Sequence, residues 1–342
     1  MVRAGLLASL LAAAVVAASG TPSDLQPDLQ RLLAGDLKFS AGDISDLQQG
    51  KIVKHTLPAT APGEVAAVGA VRVNAPKERF LTAYRDIVRF KRNEDVLQIG
   101  RVSNPPELSD LDGLSITKED FDLRNCRVGD CDIRLPADGI HRFEKEIDWK
   151  QPDADAHAAL LFKQMLVDNI RAYLSGGPGR ITQYDDGTQP VTPVADFQAV
   201  LKSSPYLDTA LPGLSAHLAS FPSESLPGAE DFLYWSKEKF GFAPFISVTH
   251  VTLAPQGMHD YVATTRDVYS SRYFNASLAL VVASDSIHDA HAFYLVYANR
   301  SRASALRGAF AKIRRSIVER RARGSLDENL RGIKQRLELG SN

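Results

Sequence analysis

The sequence predicts an α+β protein: a curved antiparallel sheet wrapped on a long C-terminal helix, with a helical insertion in mid-chain. Three observations predict it. Between Phe232 and Asn299, five strand-like segments follow one another across short turns, and strands joined in this way pair antiparallel. From Arg300 the pattern becomes helical, with Leu306, Phe310, Ile313 and Ile317 on one stripe. Far upstream, Gly50 to Val88 holds two strands and a helix that complete the same unit, so residues 104–227 interrupt it.

The chain opens on Met1-Val2-Arg3, a short positive stretch, followed by an uncharged run from Ala4 to Ser19. Small residues at Ala17, Ala18 and Ser19 suit signal peptidase, and Gly20-Thr21-Pro22-Ser23 breaks the helix after them. Residues 1–19 therefore read as a signal peptide, and the protein as exported to a periplasm or the extracellular space. A retained anchor would need about 20 apolar residues, and this run is shorter and rich in Ala. No Cys follows it, which excludes a lipid-modified N-terminal Cys.

Leu29, Leu32, Leu33 and Leu37 give a short helical pattern. Gly50 to Leu57 and Glu64 to Val73 read as a hairpin around Pro62-Gly63, and a helix carrying Phe80, Leu81, Tyr84, Ile87 and Val88 starts near Pro76. Asp95 to Val102 is strand-like. An acidic, turn-rich stretch then leads to Cys126 and Cys131, flanked by Phe121 to Leu123 and Asp132 to Leu135, which read as an exposed paired ribbon. In an oxidising compartment a disulfide is the favoured reading of the two cysteines, with a redox pair and a metal site as alternatives. Two thiols do not complete a tetrahedral zinc site, and no second His follows His141 at finger spacing.

Asp153 to Leu174 is an amphipathic helix stopped by Gly176-Gly177-Pro178-Gly179, and helical scraps follow at Val194 to Leu201 and Leu211 to Leu218. The five strands come next: Phe232 to Glu238, Phe245 to Leu253, Asp260 to Val268, Tyr273 to Ser284 and Ala292 to Asn299. The C-terminal helix is read as ending at Gly324. Ser325-Leu326-Asp327-Glu328 then looks like a capping box opening a separate helix over residues 325–338.

Charge is nearly balanced, with 40 Lys+Arg against 41 Asp+Glu, which excludes a dedicated nucleic-acid binder. The C-terminus is locally basic, with twelve Lys+Arg against four Asp+Glu from Arg300 to Glu338. That face is either solvated or a contact for an anionic membrane surface. Gly-x-Ser-x-Gly is absent, and the glycine-rich stretch follows a helix where a phosphate cradle would follow a strand, so neither a serine nucleophile nor a nucleotide site is indicated. His288-Asp289-Ala290-His291 has metal-like spacing but no third ligand, and reads as a solvated turn. His250, on the same strand face as Ile246, Val248 and Thr252, is either a pocket-lining donor or base or a half-buried His with one hydrogen bond. Lys237 shares a face with Trp235 and is either a headgroup holder or a solvated edge charge. Tyr261, Arg266, Tyr269, Arg272, Tyr273, Asn275, Tyr294, Tyr297 and Asn299 form an aromatic and polar set suited to an amphipathic ligand or simply to strand formation.

Two strands, a short helix, a run of antiparallel strands and a long last helix make an order that resembles the helix-grip fold of the START-like superfamily, also called the polyketide cyclase or SRPBCC group. The matching parts are Gly50 to Val88 and Phe232 to Ala322. In that superfamily a curved sheet wraps the last helix and the space between holds an apolar ligand. The resemblance implies one START-like domain over residues 20–342, with 104–227 as Cys loop and helical insertion and 325–338 as an added helix. It implies a binding protein for a lipid or other apolar or amphipathic small molecule, with no catalytic residue, metal or cofactor assigned. Trp235, Lys237, His250, Tyr261, Tyr269, Tyr273, Tyr294 and Tyr297 are the ligand-contact set. Two other classes stay open: a secreted enzyme using His250 with Lys237 or Glu238, and a cell-envelope interaction module using the insertion.

Overall fold

A computed structural model describes residues 23–241, 243–306 and 311–340. The proposed signal peptide lies outside these residues, as do Phe310 and the side chains of Ile313 and Ile317. The strands are β1 (Val53–Thr56), β2 (Glu64–Val73), β3 (Val96–Arg101), β4 (Glu230–Glu238), β5 (Phe245–Gln256), β6 (Asp260–Ser270), β7 (Ala276–Asp285) and β8 (Phe293–Arg302). They form one open, wholly antiparallel sheet of eight strands in the order β1-β2-β8-β7-β6-β5-β4-β3. β2 pairs with β8 from Glu64 opposite Arg302 to Val73 opposite Phe293, joining the upstream hairpin to the last strand.

Helices cover both faces. One face carries α3 (Lys77–Arg85), α4 (Ile87–Phe90) and the C-terminal α10 (Ala311–Leu339). The other carries α1 (Pro27–Arg31), α2 (Ala41–Gln48) and the insertion, with α5 (Ala137–Glu146), α6 (Ala154–Gly176), α7 (Pro193–Lys202), α8 (Tyr206–Ala210) and α9 (Leu214–Ser220). We call these the α10 face and the insertion face. Because neither side is left to water, central strands such as β2 read as near-continuous apolar runs. Among the described residues, no helix is long and apolar enough to cross a membrane.

Three sequence readings change. Residues 311–339 are a single helix running through Gly324, so the Ser325 capping box does not open a new one. An internal Gly costs about 1 kcal/mol, and burial of Leu326, Leu330 and Leu337 against the sheet offsets it. The Cys126–Cys131 segment forms its disulfide, yet it is no exposed ribbon. Phe121, Leu123, Cys126, Ile133 and Leu135 belong to the core under the insertion, and backbone bonds from Gly129 and Cys131 to the carbonyls of Asp185 and Asp186 hold the loop down. Helix α5, which the sequence reading passed over, buries Ile140 and Phe143 at helical spacing.

α10 runs along β2, and Gly69 is where it comes closest. A Cβ built there would lie 2.8 Å from Leu330 Cδ1 and 3.0 Å from Leu326 Cδ2. Gly69→Val should therefore lift the helix and lower the unfolding free energy by about 1–3 kcal/mol. Urea denaturation measures this, and an unchanged midpoint would show that α10 is not seated on Gly69.

Candidate functional site

The eight sequence-predicted contact residues do not converge. Trp235, Lys237, His250, Tyr269 and Tyr294 are all buried on the insertion face. Trp235 lies under the bare backbone of Gly100 and donates its indole N–H to the Asp110 carbonyl at 2.7 Å. Lys237 is neither an edge charge nor a headgroup holder. Its Nζ meets buried Asp120 at 2.7 Å and the Ser115 carbonyl at 3.2 Å, tying the 115–120 segment to the sheet. Tyr269 donates to the Arg134 carbonyl at 3.0 Å, and Tyr294 donates to Asp24 at 2.7 Å. Tyr273 sits at the sheet end, bonded through its hydroxyl to the Ala243 backbone. Tyr261 and Tyr297 project from the α10 face. Glu238 also lies there, opposite Lys237 and His250, so the three groups of the enzyme reading share no pocket.

His250 is enclosed within a network that joins the insertion to the sheet. The Tyr173 hydroxyl of α6 donates to its Nδ1 at 2.7 Å, and its Nε2 donates to Asp231 Oδ1 at 2.9 Å. The same oxygen accepts from Thr252 at 2.6 Å and from His217 Nε2 at 3.3 Å. His217 Nδ1 faces the Glu224 carbonyl at 2.8 Å, so both its ring nitrogens meet acceptors, an arrangement that favours the imidazolium. The charges follow. Burial alone would raise Asp231, but hydrogen bonds from His217, His250 and Thr252 hold it well below the carboxylate range. The bond to Asp231 raises His217, whereas burial lowers His250 and keeps it neutral. This is an ion-pair network in which both imidazoles are buried and about 24% of the Asp231 side chain is accessible.

The α10 face differs. Its lower half is apolar and covered: α3 brings Phe80, Leu81 and Tyr84 onto Phe293, Leu295 and Ala283. Above it the floor turns small and polar. One cross-strand row runs Val251, Thr265, Ala279, Asn299, Ala67, and the next runs Tyr234, Thr249, Asp267. Thr265, Asp267, Ser277, Tyr297 and Asn299 lie on the three central strands yet remain partly accessible, where a central strand would ordinarily be covered. They form a recess floor flanked by α10 over β1 and β2, and by Lys91 at the end of α4. Lys91 Nζ donates to Glu238 at 2.8 Å and to the Tyr234 hydroxyl at 3.3 Å. Asn299, Ser277 and Ser301 bond one another at 2.9–3.2 Å.

Of the predicted set, Tyr297 belongs to this recess; Thr249, Thr265, Asp267, Ser277 and Lys91 were passed over. Their signal was present as polar residues at alternate strand positions, weaker to the eye than Tyr or His. A second concavity, an apolar cleft of about 300 Å³, lies within the insertion between α5, α6 and residues 180–184, with Tyr269 on its wall. Among the described residues, no group of three or more His, Cys, Asp and Glu is placed to hold a metal ion. No family model, curated protein or solved structure matches the chain.

Asp231→Asn should cost about 2–3 kcal/mol, because the His217 imidazolium loses its counter-ion. The pH dependence has a definite sign. His217, raised in the fold, contributes fully below its ordinary 6.5 and loses that contribution as pH rises through its folded value. Asp231, depressed, contributes above 3.8 and loses it as pH falls towards its folded value. His250, depressed, contributes fully above 6.5 and less below it. Urea titrations across the pH range should show the His217 component vanish in Asp231→Asn; an unaltered profile would mean that the ion pair is absent.

Proposed function

We propose that this protein binds an amphipathic, largely apolar small molecule in the recess between the sheet and α10, in the manner of the helix-grip fold it resembles. One observation supports the reading above all: Thr265, Asp267, Ser277, Tyr297 and Asn299, on the α10 face of the inner strands β6, β7 and β8, all stay partly accessible. Short side chains at Thr265 and Ser277 leave this part of the floor low and partly accessible. Tyr297 offers an apolar ring with a polar tip at the surface of the floor, and the packed side chains of Val251, Val281 and Ala263 lie beside it toward the α3 end. Such a site suits a molecule with an alkyl or ring body and one polar end. The enclosure of His250 and its separation from Glu238 leave the enzyme reading without an observation in its favour.

Native mass spectrometry and solvent extraction of the purified protein should find a bound apolar or amphipathic molecule. Thr265→Trp, which fills the floor, should release it with circular dichroism unchanged, whereas Ala172→Trp in the α5–α6 cleft should not. Protein that is empty and takes up no alkyl-chain probe would sink the reading, and a molecule lost only in Ala172→Trp would move the site to the insertion.

A further inference from the structure

The ionisable groups around the recess do not balance. Lys91 is engaged by Glu238 and Tyr234, and Glu238 also accepts from Ser236 at 2.6 Å. Asp267 has a single, long hydrogen bond, from Thr249 Oγ1 at 3.4 Å. Its chain neighbour Arg266 points to the opposite face, where its guanidinium lies 3.6 Å from the Phe197 ring centroid and reaches Tyr173 and Leu218. Lys91 therefore faces two carboxylates, and Asp267 is left over. A carboxylate has roughly four acceptor positions, and here one is weakly used.

Depth makes this matter. Asp267 keeps only partial solvent access, and burial pushes its carboxyl up to about 7, with Lys91 opposing the shift and Glu238 adding to it. Tyr84, Tyr234 and Tyr297, the other titratable groups nearby, are all raised by burial and stay neutral. Among the described residues, Lys91 and, from the opposite face, Arg266 oppose the shift without offsetting the burial, and neither makes an ion pair with Asp267.

Resting on the binding site proposed above, we infer that the recess selects its ligand by head group: an amphiphile ending in an ammonium docks that group on Asp267, and a carboxylate of equal chain length is rejected. The ammonium donates to the open acceptor positions of Asp267 and neutralises the surplus carboxylate. The alkyl body then runs over Thr265 toward the Tyr297 ring, the accessible part of the floor. A ligand carboxylate would bring a further negative charge beside Glu238 and suppress ionisation of Asp267, while Lys91, the lysine described beside the recess, is already paired with Glu238. Hydrogen bonds between ionised partners are about twice as strong as neutral ones, so the head group decides among molecules with identical tails.

The test compares dodecylamine, dodecanol and dodecanoate, each below its micelle concentration, by isothermal calorimetry on the purified protein. Dodecylamine should bind at least about tenfold tighter than dodecanoate, a difference of roughly 1.4 kcal/mol, with dodecanol between them. Asp267→Asn, which keeps the shape, should reduce the preference to within about threefold, chiefly by weakening the amine. Thr249→Val serves as a second variant and should keep the preference, since the carboxylate remains. Equal binding of amine and carboxylate, or tighter dodecanoate, overturns the head-group inference and leaves the recess standing. Failure of all three chains to bind overturns the recess together with it.

Discussion

A sheet with helices on both faces admits little water to either, so each polar side chain that leaves a strand needs a partner within the protein. The rest of this structure follows from that constraint. On the insertion face it is met by long-range pairing. Lys237 finds Asp120, Arg302 finds Asp196 at 2.8 Å, and Asp231 gathers His217, His250 and Thr252. At the junction of β2 and β8, buried Glu64 and Arg300 pair with each other. Breaking one member of such a pair leaves a buried charge, which is why these contacts hold the insertion in one position even where their net stabilisation is small.

The constraint also explains why much of the site was illegible. Strand positions could be read from apolar runs bounded by turns, and the side-chain period of two correctly put His250 with Ile246 and Val248, and Trp235 with Lys237. What period two does not say is which face meets which helix. The partner of Lys237 is 117 residues away in sequence, and Tyr173 is 77 residues from His250. Lone polar residues on apolar strands therefore look alike in sequence whether they are sealed by an ion pair or open to a recess. Tyr and His are chemically versatile, yet four of the eight predicted contact residues are structural anchors of the insertion and Tyr294 anchors the N-terminal segment through Asp24.

Length misled in another way. Residues 104–227 read as an interruption with no stated docking side, because their helices carry one apolar face each and that face names no target. α6 buries Leu161, Phe162, Leu166, Ile170 and Tyr173 on the sheet, where Ile246, Val248 and Tyr269 receive them. With that surface occupied, the side of the sheet left for a ligand is the one bearing α10. The C-terminal helix was readable as a helix from its leucines, but its continuity through Gly324 was not, since the break signals were real and only packing on Gly69 overrides them.

Polar satisfaction then separates scaffold from site. On the insertion face Lys237, Arg302 and His217 each meet a carboxylate, and Asp231 is held ionised, whereas Arg266 is covered by rings and makes only two 3.5 Å contacts. In the recess Asp267, less exposed than Asp231, has one long bond and is driven towards its neutral form. Residues that break a rule kept elsewhere in the same fold are the ones whose cost has to be offset by use. The residues around the same carboxylate work in the same direction: Thr265, Ser277 and Asn299 stay partly accessible and polar where larger apolar side chains would seal the sheet. Stability alone would favour a filled floor and a paired Asp267. A recess that forgoes both supports the reading of a site completed by a ligand with an apolar body and a cationic end.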